Sequence, residues 1–171
     1  MKKIIVAGGA GFVGSHLCQS LLEKGNQVFC VDNFYTGREK NVAPLLKKFE
    51  KTFQLIKHDT TNPFHLVAEE IYQLASPASP PHYQADPIKT LETNVVGTMN
   101  LLHLAEKNKA RLLLASTSEI YGDPSQHPQT ESYWGNVNPV GIRSCYDEAK
   151  RVSDTFVMDS HRSRGVDVRI I

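Results

Sequence analysis

The feature that most constrains this chain is the glycine series Gly8, Gly11 and Gly14, set directly behind the apolar run Lys3-Ile4-Ile5-Val6-Ala7. Three physical demands explain three glycines. One permits a tight strand-to-helix turn at positive φ, one lets the backbone approach a pyrophosphate, and one lets the following helix pack close to the strand. The helix that opens near Gly11 points free N–H groups and its positive dipole end at that position, which favours anions. Asp32 closes the next apolar run, 18 residues after Gly14. A carboxylate at that distance meets the adenosine ribose hydroxyls of a dinucleotide and repels a 2′-phosphate. The expectation is therefore NAD rather than NADP, with Arg38 the one nearby cation that would soften it.

Strand and helix signals then alternate along the chain. Residues 3–7 read as a buried strand, 12–24 as a helix stopped by Gly25, and 27–32 as a second strand. A loop over 33–37 leads to a short helix at 38–48. Strands follow at 53–57 and 71–75. The stretch Ser76-Pro77-Ala78-Ser79-Pro80-Pro81 reads as neither helix nor central strand, because proline fixes φ and removes donors. Asp86-Pro87 reads as an N-cap with proline at the first helical position. The helix beyond runs to Asn108, with Ile88, Leu91, Val95, Met99 and Leu102 on one face. A strand at 111–115, a Pro/Gly/Asn-rich loop at 122–141, a helix at 144–164 stopped by Gly165 and a strand at 166–171 complete the pattern.

Continuously apolar strands between helices indicate a parallel sheet covered on both faces. The expected fold is α/β, a doubly wound Rossmann sheet in one domain over 1–171, with the ligand crevice at the carboxyl ends of the strands. The last apolar run reaches the final residue, which reads as a domain cut short before a C-terminal substrate-binding part. A net charge of +1 gives no reason to expect nucleic acid or a membrane surface. The three cysteines show no C-x-x-C spacing and read as reduced, buried residues of a cytoplasmic protein. The seven histidines show no metal-binding spacing, so no metal site is expected.

The reacting groups are placed by the same pattern. Tyr146 and Lys150 are four apart on one helix and share a face. Thr117 and Ser118 follow the fifth strand, at the crevice. A tyrosine beside an ammonium, facing a cationic nicotinamide, is expected to have a depressed pKa, so that its phenolate takes a proton from a substrate hydroxyl. Lys150 would hold the nicotinamide ribose, and Thr117 or Ser118 the substrate oxygen.

With these residues on the page, the chain resembles the extended short-chain dehydrogenase/reductase superfamily along its whole length. The resemblance is carried by the Gly8–Leu17 turn, Val31-Asp32-Asn33-Phe34, Thr36-Gly37, His58-Asp59, the Leu74–Pro80 segment, Pro87–Thr90, the Leu112–Pro124 segment and the Tyr133–Lys150 segment. The S-P-A-S-P and Y-W-G-N-V-N-P runs look like the UDP-glucuronate decarboxylase family. That resemblance implies a UDP-sugar substrate, oxidation at C4″ by NAD, loss of CO₂ from the 4-keto acid, and return of the hydride to give UDP-xylose. It implies Tyr146 as base, Lys150 as its tuner, Thr117 and Ser118 at the C4″ oxygen, and Glu119 assisting substrate distortion or proton delivery. Toward the cofactor it implies Gly8, Gly11, Phe12, Val13, Gly14, Asp32, Asn33, Tyr35, Thr36, Gly37, Asp59, Thr60, Leu74, Ser76, Thr93, Ala115, Tyr146 and Lys150. Pro81, Tyr83, Lys89 and Asn94 fall on the substrate side. Asp59 would accept from the adenine amino group; by residue type alone it reads equally as a cap on a strand-end turn.

Two substitutions depart from that family: Glu92 stands where lysine is usual, and Ser160 where tyrosine is usual. The family also implies a homodimer through helices 87–108 and 144–164. Serine at 118 replaces the acid that a 4,6-dehydratase needs at a leaving hydroxyl. Because the family's C-terminal half supplies the substrate pocket, weak or absent decarboxylation is expected of these 171 residues; a 4-epimerase or dehydratase relative, and a non-catalytic NAD-binding or dimerising fragment, stay open as alternatives.

Overall fold

A computed structural model describes all residues from Met1 to Ile171. Strand β1 (Lys3–Ala7) sorts its side chains by alternation. Ile4 and Val6 face helices α1 (Phe12–Glu23) and α2 (Glu39–Lys48), while Ile5 and Ala7 face the opposite helix layer. β2 (Gln27–Asp32) repeats this, with Val28 and Cys30 on the first side and Phe29 and Val31 on the second. One sheet thus separates two cores.

The remaining elements are β3 (Phe53–Lys57), β4 (Glu70–Gln73), α3 (Pro80–Ala85), α4 (Pro87–Asn108), β5 (Arg111–Leu114), a 3₁₀ turn at Ser118–Tyr121, α5 (Ser144–Arg164) and β6 (Val168–Ile170). All strands are parallel, in the order β3-β2-β1-β4-β5-β6. This is the expected doubly wound sheet, and the order reverses between β1 and β4, where such folds bind ligands. No helix is long and apolar enough to cross a membrane. All three cysteines are buried and unpaired.

Element boundaries agree with the sequence reading to within one or two residues, with two corrections. Pro80 and Pro81 open a short helix, α3, where a non-helical stretch was expected. The first helical positions have no intrahelical partner for their N–H groups, so proline is harmless there. The second correction concerns α4. Of its expected apolar face, Leu102 is buried, but Ile88 is exposed and Leu91, Val95 and Met99 are half-buried. The N-terminal half of α4 instead buries Thr90, Thr93, Asn94, Gly97 and Thr98. Small and hydroxyl-bearing residues win because α4 packs closely on two neighbours: the Ser153 hydroxyl of α5 donates to the Asn94 carbonyl at 2.9 Å, and Gly97 leaves room for the hydroxyl of Thr60, in the segment after β3, 2.6 Å from where a Cβ would stand. The Asp86 cap forms as expected, its carboxylate accepting from the Lys89 amide at 2.9 Å.

Gly14 fixes how α1 sits on the sheet. A Cβ there would run into the Gly8 carbonyl oxygen and lie 2.8 Å from the Gly9 Cα, both immovable backbone atoms. Gly14→Ala is expected to destabilise the chain by about 1–3 kcal/mol through overpacking, read as a lower midpoint in chemical denaturation with an unchanged m-value.

Candidate active site

A cleft of about 440 Å³ opens where the sheet order reverses, above the carboxyl ends of β1, β2 and β4. Gly8 turns the chain there at φ +77°, and a Cβ on it would stand 2.7 Å from the Ala75 nitrogen. Only glycine allows β1 and the β4 end to approach this closely. Gly11 caps α1 with no side chain over the first-turn N–H groups, which leaves them for an anion. Phe12 and Val13 of that turn are exposed into the cleft, 79% and 63%. Of the residues expected at a cofactor, Gly8, Gly11, Phe12, Val13, Gly14, Asp32, Asn33, Tyr35, Thr36, Thr60, Leu74, Ser76 and Thr93 line this cleft. Gly37, Asp59, Ala115, Tyr146 and Lys150 do not.

Asp32 is buried, and both its oxygens are engaged. One accepts from the Ala10 amide at 2.9 Å, the other from the Phe34 amide at 2.8 Å. The carboxylate therefore ties the glycine turn to the end of β2, and Gly37 passes within 2.7 Å of it at the Cβ position. Asp59 is a saturated acceptor just outside the cleft. It takes hydrogen bonds from the Asn33 amide (3.0 Å), the Thr61 amide (3.0 Å), the Thr61 hydroxyl (2.7 Å) and an ion pair from Lys89 (2.8 Å). Burial pushes this carboxyl up, but Lys89, Asn33 and Thr61 together hold it well below the usual carboxylate range. Lys89 is thus committed to Asp59 and Thr61.

The residues expected to react lie next door, at the end of β5. Helix α5 sets Tyr146 and Lys150 one turn apart, both buried. The Lys150 ammonium donates to the Ala115 carbonyl at 2.8 Å and stands 5.8 Å from the Tyr146 ring centre. Burial lowers its pKa to about 8, against the pull of Asp154 one turn further on. Tyr146 corrects an expectation: its phenol is raised, not depressed. Burial dominates, the Thr117 hydroxyl works against it, and Asp147 and Tyr83 add to it. Lys150 is turned to the Ala115 carbonyl and does not overcome that burial.

Among the residues expected on the substrate side, Tyr83 lies fully buried with its ring parallel to that of Tyr146, centres 5.0 Å apart, and its hydroxyl has no partner. Asn94 is buried and donates to the Thr90 carbonyl at 2.9 Å. Pro81, in the first turn of α3, is exposed. Pro81, Tyr83, Lys89 and Asn94 all stand apart from the cleft wall. Thr117 caps the 3₁₀ turn that holds Ser118 and Glu119, its hydroxyl accepting from the Glu119 amide at 3.3 Å, and Ser118 is exposed. The Glu119 carboxylate is paired with Arg143.

Several groups escaped the sequence reading. His58, Ser79 and His82 line the cleft, and their types alone gave no signal. Asp154 accepts from Ser116 at 2.8 Å with its other oxygen buried and unpartnered; its spacing of four from Lys150 was the available clue. No group of three or more His, Cys, Asp or Glu side chains is placed to hold a metal ion.

The buried ammonium gives a testable consequence. Lys150 has a folded pKa below its unfolded value, so between about pH 8 and the ordinary lysine range the unfolded chain binds the extra proton and stability rises with pH. Nitrogen-detected NMR should place the Lys150 midpoint near 8, and Lys150→Gln should remove that part of the pH dependence in denaturation experiments.

Comparison with known proteins matches the geometry. The family model described as GDP-mannose 4,6 dehydratase matches residues 5–171. UDP-glucuronic acid decarboxylase 1 of Arabidopsis thaliana is 56% identical over 98% of this chain and 38% of its own length. The Xenopus tropicalis decarboxylase 1 is 54% identical over 99% of this chain and 40% of its own. The chain spans between 37% and 49% of the length of such relatives. Among solved structures, the dTDP-glucose 4,6-dehydratase DesIV of Streptomyces venezuelae, with NAD and TYD bound, superposes with a TM-score of 0.86 at 30% identity, covering 98% of this chain and 54% of that one. A UDP-galactose 4-epimerase superposes with a TM-score of 0.84 at 28% identity, covering 98% and 54%. The relatives of highest identity named here are UDP-glucuronic acid decarboxylases, and by the family model over residues 5–171 the chain belongs to the GDP-mannose 4,6 dehydratase family.

Proposed function

We propose that this chain carries the NAD-binding and reacting part of a UDP-glucuronate decarboxylase. The observation that carries the reading is the buried Tyr146–Lys150 pair beside Thr117, one strand away from a glycine-walled cleft, in a sequence 56% identical to a UDP-glucuronic acid decarboxylase. The fit to NAD rests on a cradle of backbone: Gly8 and Gly14 leave no room for side chains, and α1 presents uncapped N–H groups. Gly11, Phe12 and Val13 would hold the pyrophosphate, Asp32 and Asn33 the adenosine ribose, and Thr60 the adenine, with Asp59 holding the Asn33 amide in place. When bound, NAD supplies a hydride acceptor for C4″ and gives the hydride back after decarboxylation.

This chain's residues manage the protons and the oxygens. Tyr146 takes the C4″ hydroxyl proton as that carbon is oxidised and returns it when the ketone is reduced. Burial favours the neutral phenol, so the Lys150 ammonium is needed to make the phenolate accessible. Thr117 and Ser118 hold the C4″ oxygen. The C4″ ketone accepts the electron pair released when the carboxylate leaves as CO₂, and Glu119, in its protonated form, delivers the proton to the carbon left behind.

A second reading keeps NAD binding and pairing without turnover. Glu92 supports it, since it stands exposed on α4, 4.0 Å from Lys89, where its charge would oppose an anionic sugar. Both readings include a homodimer through α4 and α5. Its support is the apolar strip of Ile88, Val152 and Phe156, exposed by 64%, 39% and 37%. The three unpaired, buried cysteines support a reducing, cytoplasmic setting.

Calorimetric titration with NAD⁺ and then UDP-glucuronate, followed by trapping of CO₂, tests the reading. Binding of both with CO₂ release, however slow, supports the first reading; NAD⁺ binding alone selects the second reading, and binding of neither overturns both. Tyr146→Phe should leave NAD⁺ affinity within about twofold and lower turnover by about 10²–10⁴. Phe156→Glu should shift the sedimentation profile from dimer to monomer with the circular dichroism spectrum unchanged.

A further inference from the structure

Arg143 stands immediately before α5, between two carboxylates. Its guanidinium is paired with Glu119 of the 3₁₀ turn, and its Nη2 lies 3.9 Å from Asp147 Oδ1, one turn along α5. The two acids differ in what else reaches them. The Glu119 side chain is 39% exposed, so water can satisfy it. The Asp147 side chain is 11% exposed, and its Oδ1 is buried with no hydrogen bond. A buried carboxylate oxygen without a donor is costly. Of the charged groups around Asp147, Glu148 is engaged by Arg151 at 3.7 Å, which leaves Arg143 as its cation. Arg143 itself is half exposed and borders a groove of about 530 Å³ with Asn136, Asn138 and Ser144. These two carboxylates are its ion partners, and a movement of about 1 Å would bring Nη2 within hydrogen-bond distance of Asp147 Oδ1.

We propose that Arg143 is a positioning residue shared in alternation by Glu119 and Asp147: it clamps Glu119 against the start of α5, and when it passes to the unsatisfied Asp147 oxygen it frees Glu119 for the reacting site. The inference rests on the role given to Glu119 above. It makes Asp147 the parking place for the guanidinium and accounts for an unpartnered carboxylate oxygen next to the proposed base, Tyr146.

The test is a double-variant cycle on the whole chain, read by carboxyl ¹³C NMR titration of Asp147, its signal assigned by its loss in Asp147→Asn. Arg143→Gln should raise the Asp147 midpoint, since a cation is lost. Glu119→Gln should lower it by about one unit while Arg143 is present, because the released arginine moves across. In the Arg143→Gln background the same Glu119→Gln change should shift it by less than half as much, leaving only the direct repulsion between the acids. Equal shifts in the two backgrounds, or no shift on Glu119→Gln, would overturn the proposal. If amide dispersion shows that Arg143→Gln unfolds, Arg143→Lys takes its place, with the coupling expected to be reduced but present. No turnover enters the measurement: a failure to release CO₂ counts against the function proposed above, while this coupling is decided by Asp147 alone.

Discussion

The fold and the site depend on one close approach of backbone to backbone. Helix α1 descends onto the end of β1 so tightly that Gly14 faces the Gly8 carbonyl and the Gly9 Cα, while Gly8 in turn faces the β4 end at Ala75. This contact decides where the α1 N-terminus points, and with it where an anion is welcomed. It also brings β1 and β4 together at the place where the sheet order reverses. Asp32 completes the arrangement from the β2 side by holding the Ala10 and Phe34 amides. The carboxylate at the end of β2 thus fixes the glycine turn and the loop after β2 together.

The second organising element is the buried face between α4 and α5. It is lined by hydroxyls, an amide and an ammonium rather than by large apolar side chains. Each of these polar groups needs a partner, and the partners define the geometry: Ser153 donates to the Asn94 carbonyl, Lys150 to the Ala115 carbonyl, and Ser116 to Asp154. Burial then sets the acid–base balance. It lowers Lys150 and raises Tyr146, so the two groups move apart in proton affinity and burial favours the neutral form of each. Most of the apolar side chains that the sequence places on α4 are displaced outward by this packing, Ile88 fully and Leu91, Val95 and Met99 in part.

Much of this was legible in the chain itself, for identifiable reasons. The glycine series, the apolar strand runs and the proline after Asp86 are local signals, and local signals survive folding: strands, helices and caps appear where they were expected. Thirteen residues anticipated at the cofactor line one cleft because the turn that carries the first of them is written in contiguous sequence. Helix α3 was missed because two adjacent prolines read as breakers, although the first turn of a helix tolerates them. The face of α4 was misjudged because apolar periodicity reports which side is hydrophobic, not which side a neighbouring helix needs.

What the sequence determined by itself is the order of elements, the parallel sheet and the types of residue delivered to its carboxyl edge, since each follows from backbone sterics and periodicity within a few residues. What only the tertiary structure decided is how those residues are paired and charged. Lys89 belongs to Asp59, Tyr83 stacks under Tyr146, and Arg143 stands between Glu119 and Asp147. The direction of the Tyr146 shift was also settled there. Desolvation and ion pairing depend on what surrounds a group in space, and the partners that set them lie up to 63 residues apart along the chain, as Tyr83 and Tyr146 do.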